Sequence, residues 1–360
     1  MANLDRVRAA MAEADVPALL VSDIANVSWA IGFTGSSAWL LLKGADGVFV
    51  TDSRYTIQAG EEVPDLPVRT FANPVTSAEF LKEQIAGLGI ARLGFESQAV
   101  TYATFEEWAK AWAPVELFGV KDLIAPLRRV KTDAEVAIIR RACALADACF
   151  EHACRMIQPG VTELDVALDV EFFFRRQGAE LAFPPIVVSG ERSARPHGKP
   201  SDKKLERGDF VTLDIGAKLD GQCSDLTRTV VVGEASDRHR EVYGQVLKSQ
   251  LAAIEAMKPG VPSKDVDALA RKVLDEKGLA RHFGHGLGHG LGSVVHDVGR
   301  MSPSSEDVLQ EGNVWTVEPG VYIEGFGGVR IEDDVWITNC GAEVLTRAPK
   351  ELLVLPRTGP

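Results

Sequence analysis

The chain has 360 residues, of which 46% are apolar and 25% are charged, as is usual for a globular protein with a substantial core. Its net charge of −12 argues against nonspecific binding to nucleic acids or anionic membranes, because those partners are themselves negatively charged. Five cysteines without a CxxC pair, no secretory leader and no apolar run of about 18 residues predict a reduced, cytoplasmic protein that does not span a membrane.

The first part of the chain, residues 1–124, alternates helical and strand patterns and predicts an α/β domain. Its predicted elements, in chain order, are a helix over 4–14, strands over 18–21, 38–42 and 47–51, helices over 55–62 and 77–86, and a strand over 93–95. The region has no cluster of His, Asp and Glu, no P-loop and no GxGxxG motif. We therefore expect this domain to shape the substrate site or to dimerise, and not to carry the chemistry.

A domain boundary is predicted between residues 124 and 125, where the segment Ile124-Ala125-Pro126 precedes a basic stretch. Residues 125–360 are the second predicted domain. Its first helix begins at the capping box Thr132-Asp-Ala-Glu135 and ends before Pro159, with apolar residues at intervals of three and four. Three more helices are predicted over 162–178, 240–257 and 263–277, so that the helices come as two pairs.

Two strand segments of the second domain align with each other. The segment GDFVTLDIG, residues 208–216, matches GNVWTVEPG, residues 312–320, and places Asp214 on Glu318. At the same offset Asp220-Gly221 falls on Glu324-Gly325. The second domain is therefore predicted to be a duplicated unit of a helix pair and a hairpin, with pseudo-twofold symmetry and equivalent carboxylates in the two halves.

Five potential metal ligands occur in this domain, and in chain order they are Asp214, Asp225, His289, Glu318 and Glu332. Several lie in strand segments that should prefer apolar residues, where a carboxylate loses its hydration unless a cation replaces it. Four carboxylates are too many for one isolated zinc ion. They suit two hard or borderline divalent ions held close together with water between them.

The turn between the first two of these carboxylates predicts their register. Asp220-Gly221 is a strong signal for a two-residue hairpin turn. A turn centred there places Asp214 opposite Thr227, with Asp225 as its diagonal neighbour on the same face. A slip of one residue would send one carboxylate to the other face of the hairpin.

The segment VRIEDD, residues 329–334, contains three adjacent acids, and such a run is usually solvated. Alternation along the strand nevertheless puts Arg330 and Glu332 on one face. An arginine there would support a metal-binding glutamate.

The segment GHGLGHG, residues 284–290, is too rich in glycine for a stable helix, so it is not the HExxH arrangement of a helical zinc protease. We expect its glycines to let the backbone approach a ligand closely, with His289 on the metal. His285 and His296 could bind substrate or transfer protons near neutral pH.

The stretch from Val130 to Leu355 resembles the pita-bread metallopeptidases, which include methionine aminopeptidase, aminopeptidase P, prolidase and the non-metal creatinase. The motifs that carry this resemblance are LDIGA, SDLTRT, HGLGH, VEPGVY and RIEDD. TDSRY, residues 51–55, is similar to the additional domain of aminopeptidase P, prolidase and creatinase. The fold class implied is an α/β N-terminal domain followed by an α+β pita-bread domain with pseudo-twofold symmetry.

The resemblance implies a dinuclear metal site. It assigns Asp214 and Asp225 to one divalent ion, His289 and Glu318 to the other, and Glu332 to both ions. Members of the family use manganese, cobalt or zinc. Glu318 would in addition act as a general base on the water between the ions.

The resemblance also implies a set of substrate-binding residues, which are His197, His285, His296, Arg300 and Arg330. Among them, His285 or His296 would hydrogen-bond the reaction intermediate or help to protonate the leaving proline nitrogen. Arg300 matches an arginine that some prolidases use to bind the free carboxylate of a dipeptide.

These features favour an Xaa-Pro dipeptidase, whose substrate is a small peptide with proline at its second position. An aminopeptidase P that acts on longer peptides is the alternative. A non-catalytic binding protein on the same fold is a further alternative, although such a protein would be expected to have lost one of the five ligands, and none is lost. The resemblance also leads us to expect a homodimer.

Overall fold

The computed structural model describes residues 2–356, and the chain divides into two compact units, Met1–Arg128 and Arg129–Pro360. The boundary predicted from the sequence falls at the start of the short helix Ala125–Arg129, just before this division. Within residues 2–356, none of the helices combines the length and the apolar character needed to cross a lipid bilayer.

The first unit contains one mixed six-stranded sheet in the order β4-β3-β2-β1-β5-β6. Its strands are β1 (Leu19–Val21), β2 (Ala38–Lys43), β3 (Asp46–Asp52), β4 (Val68–Phe71), β5 (Arg92–Glu96) and β6 (Glu116–Val120). Its helices are α1 (Ala2–Glu13), α2 (Ile24–Ile31), α3 (Thr56–Glu62), α4 (Ser77–Gly87), α5 (Tyr102–Ala111) and α6 (Ala125–Arg129). Every element predicted for this region is present.

Both faces of this sheet are covered. On β1, Leu19 and Val21 belong to one apolar cluster with α1 and α2, whereas Leu20 belongs to a second cluster with α4 and α5. A strand buried on both faces has no polar alternation, which explains the continuous apolar runs of β1 and β2. The first unit is therefore an α/β layer structure, as predicted.

Over its described residues, 129–356, the second unit contains two helix pairs and fourteen strands. Its helices are α7 (Asp133–Met156), α8 (Glu163–Arg176), α9 (Asp237–Ala256) and α10 (Ser263–Asp275). Its strands are β7 (Glu180–Leu181), β8 (Ile186–Ser189), β9 (Phe210–Ile215), β10 (Ala217–Leu219), β11 (Gln222–Cys223), β12 (Leu226–Val232), β13 (Gly288–Gly290), β14 (Asp297–Met301), β15 (Val314–Val317), β16 (Gly320–Ile323), β17 (Gly327–Arg330), β18 (Asp333–Thr338), β19 (Gly341–Val344) and β20 (Val354–Leu355).

The helix starts follow from local sequence. The side chain of Thr132 accepts a hydrogen bond from the backbone N–H of Glu135, whose carboxylate accepts one from the backbone N–H of Thr132. Thr162 and Asp165 make the same reciprocal pair at the start of α8. These capping boxes satisfy backbone N–H groups that the first helical turn leaves without partners, and both were predicted.

The two halves of the second unit repeat one arrangement. Strand order β12-β9-β8 in the first half corresponds to β18-β15-β13 in the second, and each sheet packs against its own helix pair. The central strands β9 and β15 are the two segments that align in the sequence. The duplication predicted from this alignment is confirmed.

The hairpin that follows β9 has the predicted register. Asp220 and Gly221 have φ angles of 47° and 80°, as a two-residue turn of type I′ requires, and Leu219 pairs with Gln222. Beyond this turn, Asp214 pairs with Thr227 on β12. The turn chemistry therefore determines which face of the hairpin presents Asp214.

Candidate metal centre and active site

A cavity of about 820 Å³ lies in the second unit, and every site residue predicted from the sequence lines it. These residues are His197, Asp214, Asp225, His285, His289, His296, Arg300, Glu318, Arg330 and Glu332. They come from both halves of the duplicated unit. The cavity thus lies where the two repeated sheets present their polar side chains.

Most of the acidic side chains in the cavity lie at strand ends. Asp225 precedes β12, Glu318 follows β15, and Glu332 lies between β17 and β18, whereas Asp214 is near the end of β9. The adjoining strands β12 and β15 are fully buried. The strands therefore anchor the backbone while the carboxylates turn towards the cavity.

His289 presents a nitrogen lone pair to two carboxylates. Its Nδ1 lies 3.0 Å from the carbonyl oxygen of Gly290, which can only accept, so Nδ1 carries the proton. Burial lowers the pKa of His289 to about 4, and the ring is therefore neutral near pH 7. Its Nε2 lies 3.6 Å from Oδ2 of Asp225 and 3.5 Å from Oε1 of Glu318. A lone pair facing two carboxylates calls for a cation between them.

The tightest group of donor atoms is formed by Asp225, His289 and Glu332, whose ligand atoms all lie within 4.8 Å of one another. Burial, and then the neighbouring acid groups, raise the pKa values of Asp225 and Glu332 well above their usual range. Burial and the charge of Asp214 raise the pKa of Glu318 to about 8, against the opposing effect of Arg330. Carboxylates that repel one another in a buried site are stabilised by divalent cations, so this donor set fits metal ions.

Asp214 also lines the cavity, and only one of its two carboxylate oxygens is hydrogen-bonded. Its Oδ2 accepts a hydrogen bond of 2.6 Å from Nη2 of Arg330. Its Oδ1 is buried and has no hydrogen-bond partner within residues 2–356. A buried carboxylate oxygen without a donor is costly, and a bound cation would satisfy it.

Arg330, Tyr322 and His285 form a hydrogen-bonded chain that starts at Asp214. Nη1 of Arg330 lies 2.8 Å from the Tyr322 hydroxyl, which lies 2.9 Å from Nε2 of His285. Nδ1 of His285 faces the carbonyl of Gly286 at 2.8 Å, so Nε2 accepts the hydroxyl proton of Tyr322. Burial raises the pKa of Tyr322 to about 12 and lowers that of His285 to about 4, which keeps both groups neutral.

This chain of hydrogen bonds shows the partners of two predicted site residues, Arg330 and His285. The sequence suggested that Arg330 would support Glu332, whereas its guanidinium binds Asp214. Both ring nitrogens of His285 are engaged, by Gly286 and by Tyr322. Tyr322 was not predicted as a site residue, although its position in the VEPGVY motif, four residues after Glu318, was a usable signal.

The remaining predicted substrate residues lie at the exposed side of the cavity. His197, His296 and Arg300 are all exposed, and the ring of His296 packs edge-on against that of His289 at 4.5 Å. Nη1 of Arg300 donates to the carbonyl oxygens of Asp297 and Gly299, at 3.0 and 2.8 Å. Their roles in substrate binding stay predictions.

The acids that follow Glu332 are buried, although a run of three acids is usually solvated. Asp334 accepts the backbone N–H of Asp225 at 2.9 Å and thereby fixes the backbone of that candidate ligand. Asp333 pairs with the buried Arg228 at 2.8 Å, and Arg228 and Lys350 outweigh its burial and lower its pKa. These acids therefore support the backbone on either side of the ligand set.

The hydroxyl of Thr227 links two site residues. It donates to Glu332 at 2.5 Å and accepts from Nε of Arg330 at 3.0 Å. In the other half, Thr316 supports a site residue in a similar way, since its hydroxyl accepts the backbone N–H of His289 at 3.1 Å. Neither threonine was selected as a site residue from the sequence.

The glycines of the GHGLGHG segment serve the protein backbone. A Cβ at Gly288 would lie 2.0 Å from the carbonyl oxygen of Thr316, and one at Gly290 would lie 2.1 Å from that of Val298. The expectation that these glycines make room for a ligand is therefore wrong for Gly288 and Gly290, which make room for protein backbone. They let β13 pack closely against its neighbours and so set the position of His289.

Replacing Gly288 by alanine is expected to lower the free energy of unfolding by about 2 kcal/mol or more, because backbone atoms would have to move. The matched control is Gly284→Ala in the same segment, where a Cβ meets nothing within 4 Å. Urea denaturation of both variants measures the difference. Equal stability of the two variants would contradict this explanation of the segment.

Residues 137–339 match metallopeptidase family M24, and residues 3–130 match the creatinase/prolidase N-terminal domain. The chain is similar to a protein named Xaa-Pro dipeptidase from Pyrococcus horikoshii, with 39% identity over 94% of this chain and 95% of the relative. These matches cover both units of the structure.

Solved structures of Xaa-Pro peptidases are similar to this chain over nearly its whole length. The structure of an Xaa-Pro dipeptidase from Bacillus anthracis superposes with a TM-score of 0.93 and 41% identity, over 99% of both chains. The structure of an X-Pro aminopeptidase from Thermotoga maritima gives a TM-score of 0.89 and 37% identity, over 95% of this chain and 98% of the other. The predicted fold class, an α/β domain followed by a pita-bread domain, is confirmed.

Proposed function

Because the chain belongs to metallopeptidase family M24, we propose that it is a dinuclear metal-dependent peptidase that hydrolyses Xaa-Pro dipeptides. The observation that carries this proposal is the convergence of four carboxylates and the His289 imidazole on one cavity. The relatives named Xaa-Pro dipeptidase, which match nearly the whole chain, support the choice of substrate.

We assign the metal ligands as the resemblance suggests, with Asp214 and Asp225 on one ion, His289 and Glu318 on the other, and Glu332 shared. Oxygen-rich donors with one imidazole suit manganese, cobalt or zinc. Divalent cations bound here supply the Lewis acidity that polarises a scissile carbonyl and lowers the pKa of water.

Side chains of the protein transfer the protons during hydrolysis. A water molecule attacks the carbonyl carbon of the Xaa-Pro bond, and the carboxylate of Glu318 takes one of its protons. Glu318 returns this proton to the proline nitrogen as the carbon–nitrogen bond breaks. His296, exposed at the cavity, hydrogen-bonds the substrate, and the Tyr322 hydroxyl holds His285 in place.

The apolar part of the cavity suits the second residue of the substrate. Phe183, Pro184, Pro185 and Ile186 line it on one side. An Xaa-Pro bond is a tertiary amide without an N–H group, so the proline offers no hydrogen-bond donor and its ring packs best against apolar side chains. We place the proline ring against this wall.

An Xaa-Pro aminopeptidase that acts on longer peptides is the second candidate. The similarity to the X-Pro aminopeptidase structure from Thermotoga maritima favours it. The two candidates share one chemistry and differ in where the substrate chain ends.

The test measures hydrolysis before and after chelation, and after manganese, cobalt or zinc is added back. We expect metal-dependent cleavage of an Xaa-Pro dipeptide, weaker cleavage of an Xaa-Pro-Zaa tripeptide, and little cleavage of the matched Xaa-Ala dipeptide. Tripeptide cleavage with little dipeptide cleavage would select the aminopeptidase. If no metal restores cleavage of either Xaa-Pro substrate, the chain is a non-catalytic member of the fold.

A further inference from the structure

Consecutive residues of one loop line the cavity, and we call them the cavity-wall loop. They are Pro196, His197, Gly198, Lys199 and Pro200. The loop lies between β8 and β9 and is not part of a strand. Its histidine, His197, is exposed and is one of the predicted substrate-binding residues. The contacts that hold this loop therefore help to shape the substrate site.

The other half of the duplicated unit has a strand at the corresponding place. Strands β13 and β15 correspond to β8 and β9, and β14 lies between them in the chain. β14 pairs with β13, with Met301 opposite Gly288 and Arg300 opposite His289. Ladder hydrogen bonds thus fix that side of the cavity. Among the described residues, 2–356, the cavity-wall loop pairs with no strand, so other contacts set its position.

The carboxylate of Glu163, at the start of α8, binds the chain on both sides of the loop. Its Oε1 accepts the backbone N–H and the hydroxyl of Ser189, at 2.7 and 2.9 Å. Its Oε2 accepts the backbone N–H and the hydroxyl of Ser201, at 3.1 and 2.7 Å. Each carboxylate oxygen therefore holds one end of the segment 189–201, and the cavity-wall loop lies between these ends.

Arg192 adds a contact to the loop itself. Its Nε pairs with Oε2 of Glu163 at 3.1 Å, and its Nη2 donates to the carbonyl oxygen of Lys199 at 2.7 Å. Glu163 is fully buried, and a buried carboxylate is costly unless a cation and further donors compensate it. Arg192 and the two serines supply both, so the carboxylate is a stable anchor for the loop.

The repeat shows that the backbone contact at this helix start does not need a carboxylate. Glu163 and Ser263 are the first residues of α8 and α10. The N–H of Glu163 donates to the carbonyl oxygen of Lys203 at 3.0 Å, and the N–H of Ser263 donates to that of Asp307 at 2.8 Å. The side chain of Ser263 donates to the hydroxyl of Ser305 at 2.9 Å. The carboxylate thus occurs in the half whose cavity segment has no strand pairing.

We propose that Glu163 is a positioning residue, which joins the two ends of the segment 189–201 and so holds His197 where it contacts a bound peptide. The inference rests on the proposed function, because the contact between His197 and the substrate belongs to it. Glu163 does not itself line the cavity, so it acts through the loop.

Hydrogen–deuterium exchange of a Glu163→Gln variant tests the structural part. The amide keeps the size of the side chain, but its NH2 group cannot accept the N–H groups of Ser189 or Ser201, so one end of the segment is released. We expect the backbone amides of residues 190–203 to exchange about tenfold faster than in the wild type, while those of β14 keep their rate. This measurement needs neither metal nor substrate.

Steady-state kinetics of the metal-loaded variant test the effect on the substrate. We expect KM for an Xaa-Pro dipeptide to rise about tenfold, with kcat within about twofold of the wild type, because a displaced His197 weakens binding and leaves the reacting groups in place. Metal content by atomic emission should stay unchanged. The matched control is Glu171→Gln, the same change on the same helix, where the carboxylate pairs with Arg175 at the surface. It should behave as the wild type in all these measurements.

Ser201→Ala is a milder variant, which carries the test if Glu163→Gln does not fold. It removes one hydroxyl that donates to Glu163 and leaves the ion pair with Arg192. We expect faster exchange over residues 198–203 and a KM raised about threefold.

Unchanged exchange over residues 190–203 in these variants would show that Glu163 does not hold the loop and would overturn the proposal. Faster exchange with an unchanged KM would also overturn it, because the loop would then position no substrate group. Loss of bound metal, or a kcat that falls as far as KM rises, would place the effect at the metal centre instead. If the metal-loaded wild type cleaves no Xaa-Pro substrate, the proposed function itself fails, and the exchange rates alone decide whether Glu163 joins the ends of the segment.

Discussion

Replacing Glu332 by glutamine is expected to lower kcat/KM for an Xaa-Pro dipeptide by more than about 100-fold. Loss of a group that only supports a metal ligand typically costs about 10- to 100-fold, and Glu332 is placed as a ligand itself. Its ligand atom lies within 4.8 Å of those of Asp225 and His289, and its side chain is 1% exposed. The amide keeps the shape of the side chain but removes the negative charge that both cations would share. Steady-state kinetics and metal content by atomic emission measure the two effects together.

The matched control is Glu324→Gln. Glu324 is exposed in the turn between β16 and β17, and it occupies the position of the repeat that corresponds to Asp220. We expect this variant to keep its metal content and its activity within about twofold, because exposed substitutions outside a site rarely matter. A Glu332→Gln enzyme that binds both ions and cleaves normally would remove Glu332 from the ligand set.

The elements that could be predicted were those determined by local chemistry. Asp220-Gly221 forms a turn that requires two residues with positive φ, and this turn by itself determines the pairing of Asp214 with Thr227. The capping boxes at Thr132 and Thr162 determine the starts of α7 and α8 in the same way. In each case the determining atoms lie within a few residues of one another.

Several elements were missed because no local pattern marks them. α2 has the sequence IANVSWAI and is buried over most of its surface, so it lacks the polar face that would reveal a helical period. β4 and β6 are partly exposed strands of four and five residues at the two edges of the sheet. Their pairing partners, and not their own composition, hold them in place.

The supporting groups of the site were missed for the same reason. Tyr322 reaches His285 across 37 residues, and Asp334 reaches the backbone of Asp225 across 109. The candidate ligands were selected because carboxylates in or beside strands are unusual, and because their motifs resemble a known family; their role as ligands stays a prediction. A tyrosine or threonine in a strand is ordinary, so only the folded arrangement distinguishes those that support the site.

The metal-free protein is expected to lose stability as the pH rises from about 6.5 to 8. The pKa of Glu318 is raised to about 8 in the folded protein, and those of Asp225 and Glu332 are raised as well. The folded state therefore holds protons that the unfolded chain has already released, and the free energy of unfolding falls with rising pH. The expected loss is about 2 kcal/mol across this interval for each proton that stays bound throughout.

Two histidines set the lower limit of that interval. Burial lowers the pKa values of His285 and His289 to about 4, so between about pH 4 and 6.5 the unfolded chain binds protons that the folded state does not. Their contribution makes stability rise with pH, opposite to that of the carboxylates. At pH 6.5 each histidine is still about half protonated in the unfolded chain, so this opposing contribution fades over the next pH unit and only the carboxylate effect remains above about pH 7.5.

Urea denaturation of the chelated protein at several pH values between 6.5 and 8 measures this slope. Glu318→Gln removes one titrating group and should flatten it. A saturating divalent cation should remove this slope, because the cation replaces the protons on the carboxylates and the folded and unfolded states then carry equally few of them. Metal-free stability that stays level or rises over this interval would mean that the carboxylates are not held protonated in the folded state. In that case the mutual repulsion from which we infer a cation site would not exist.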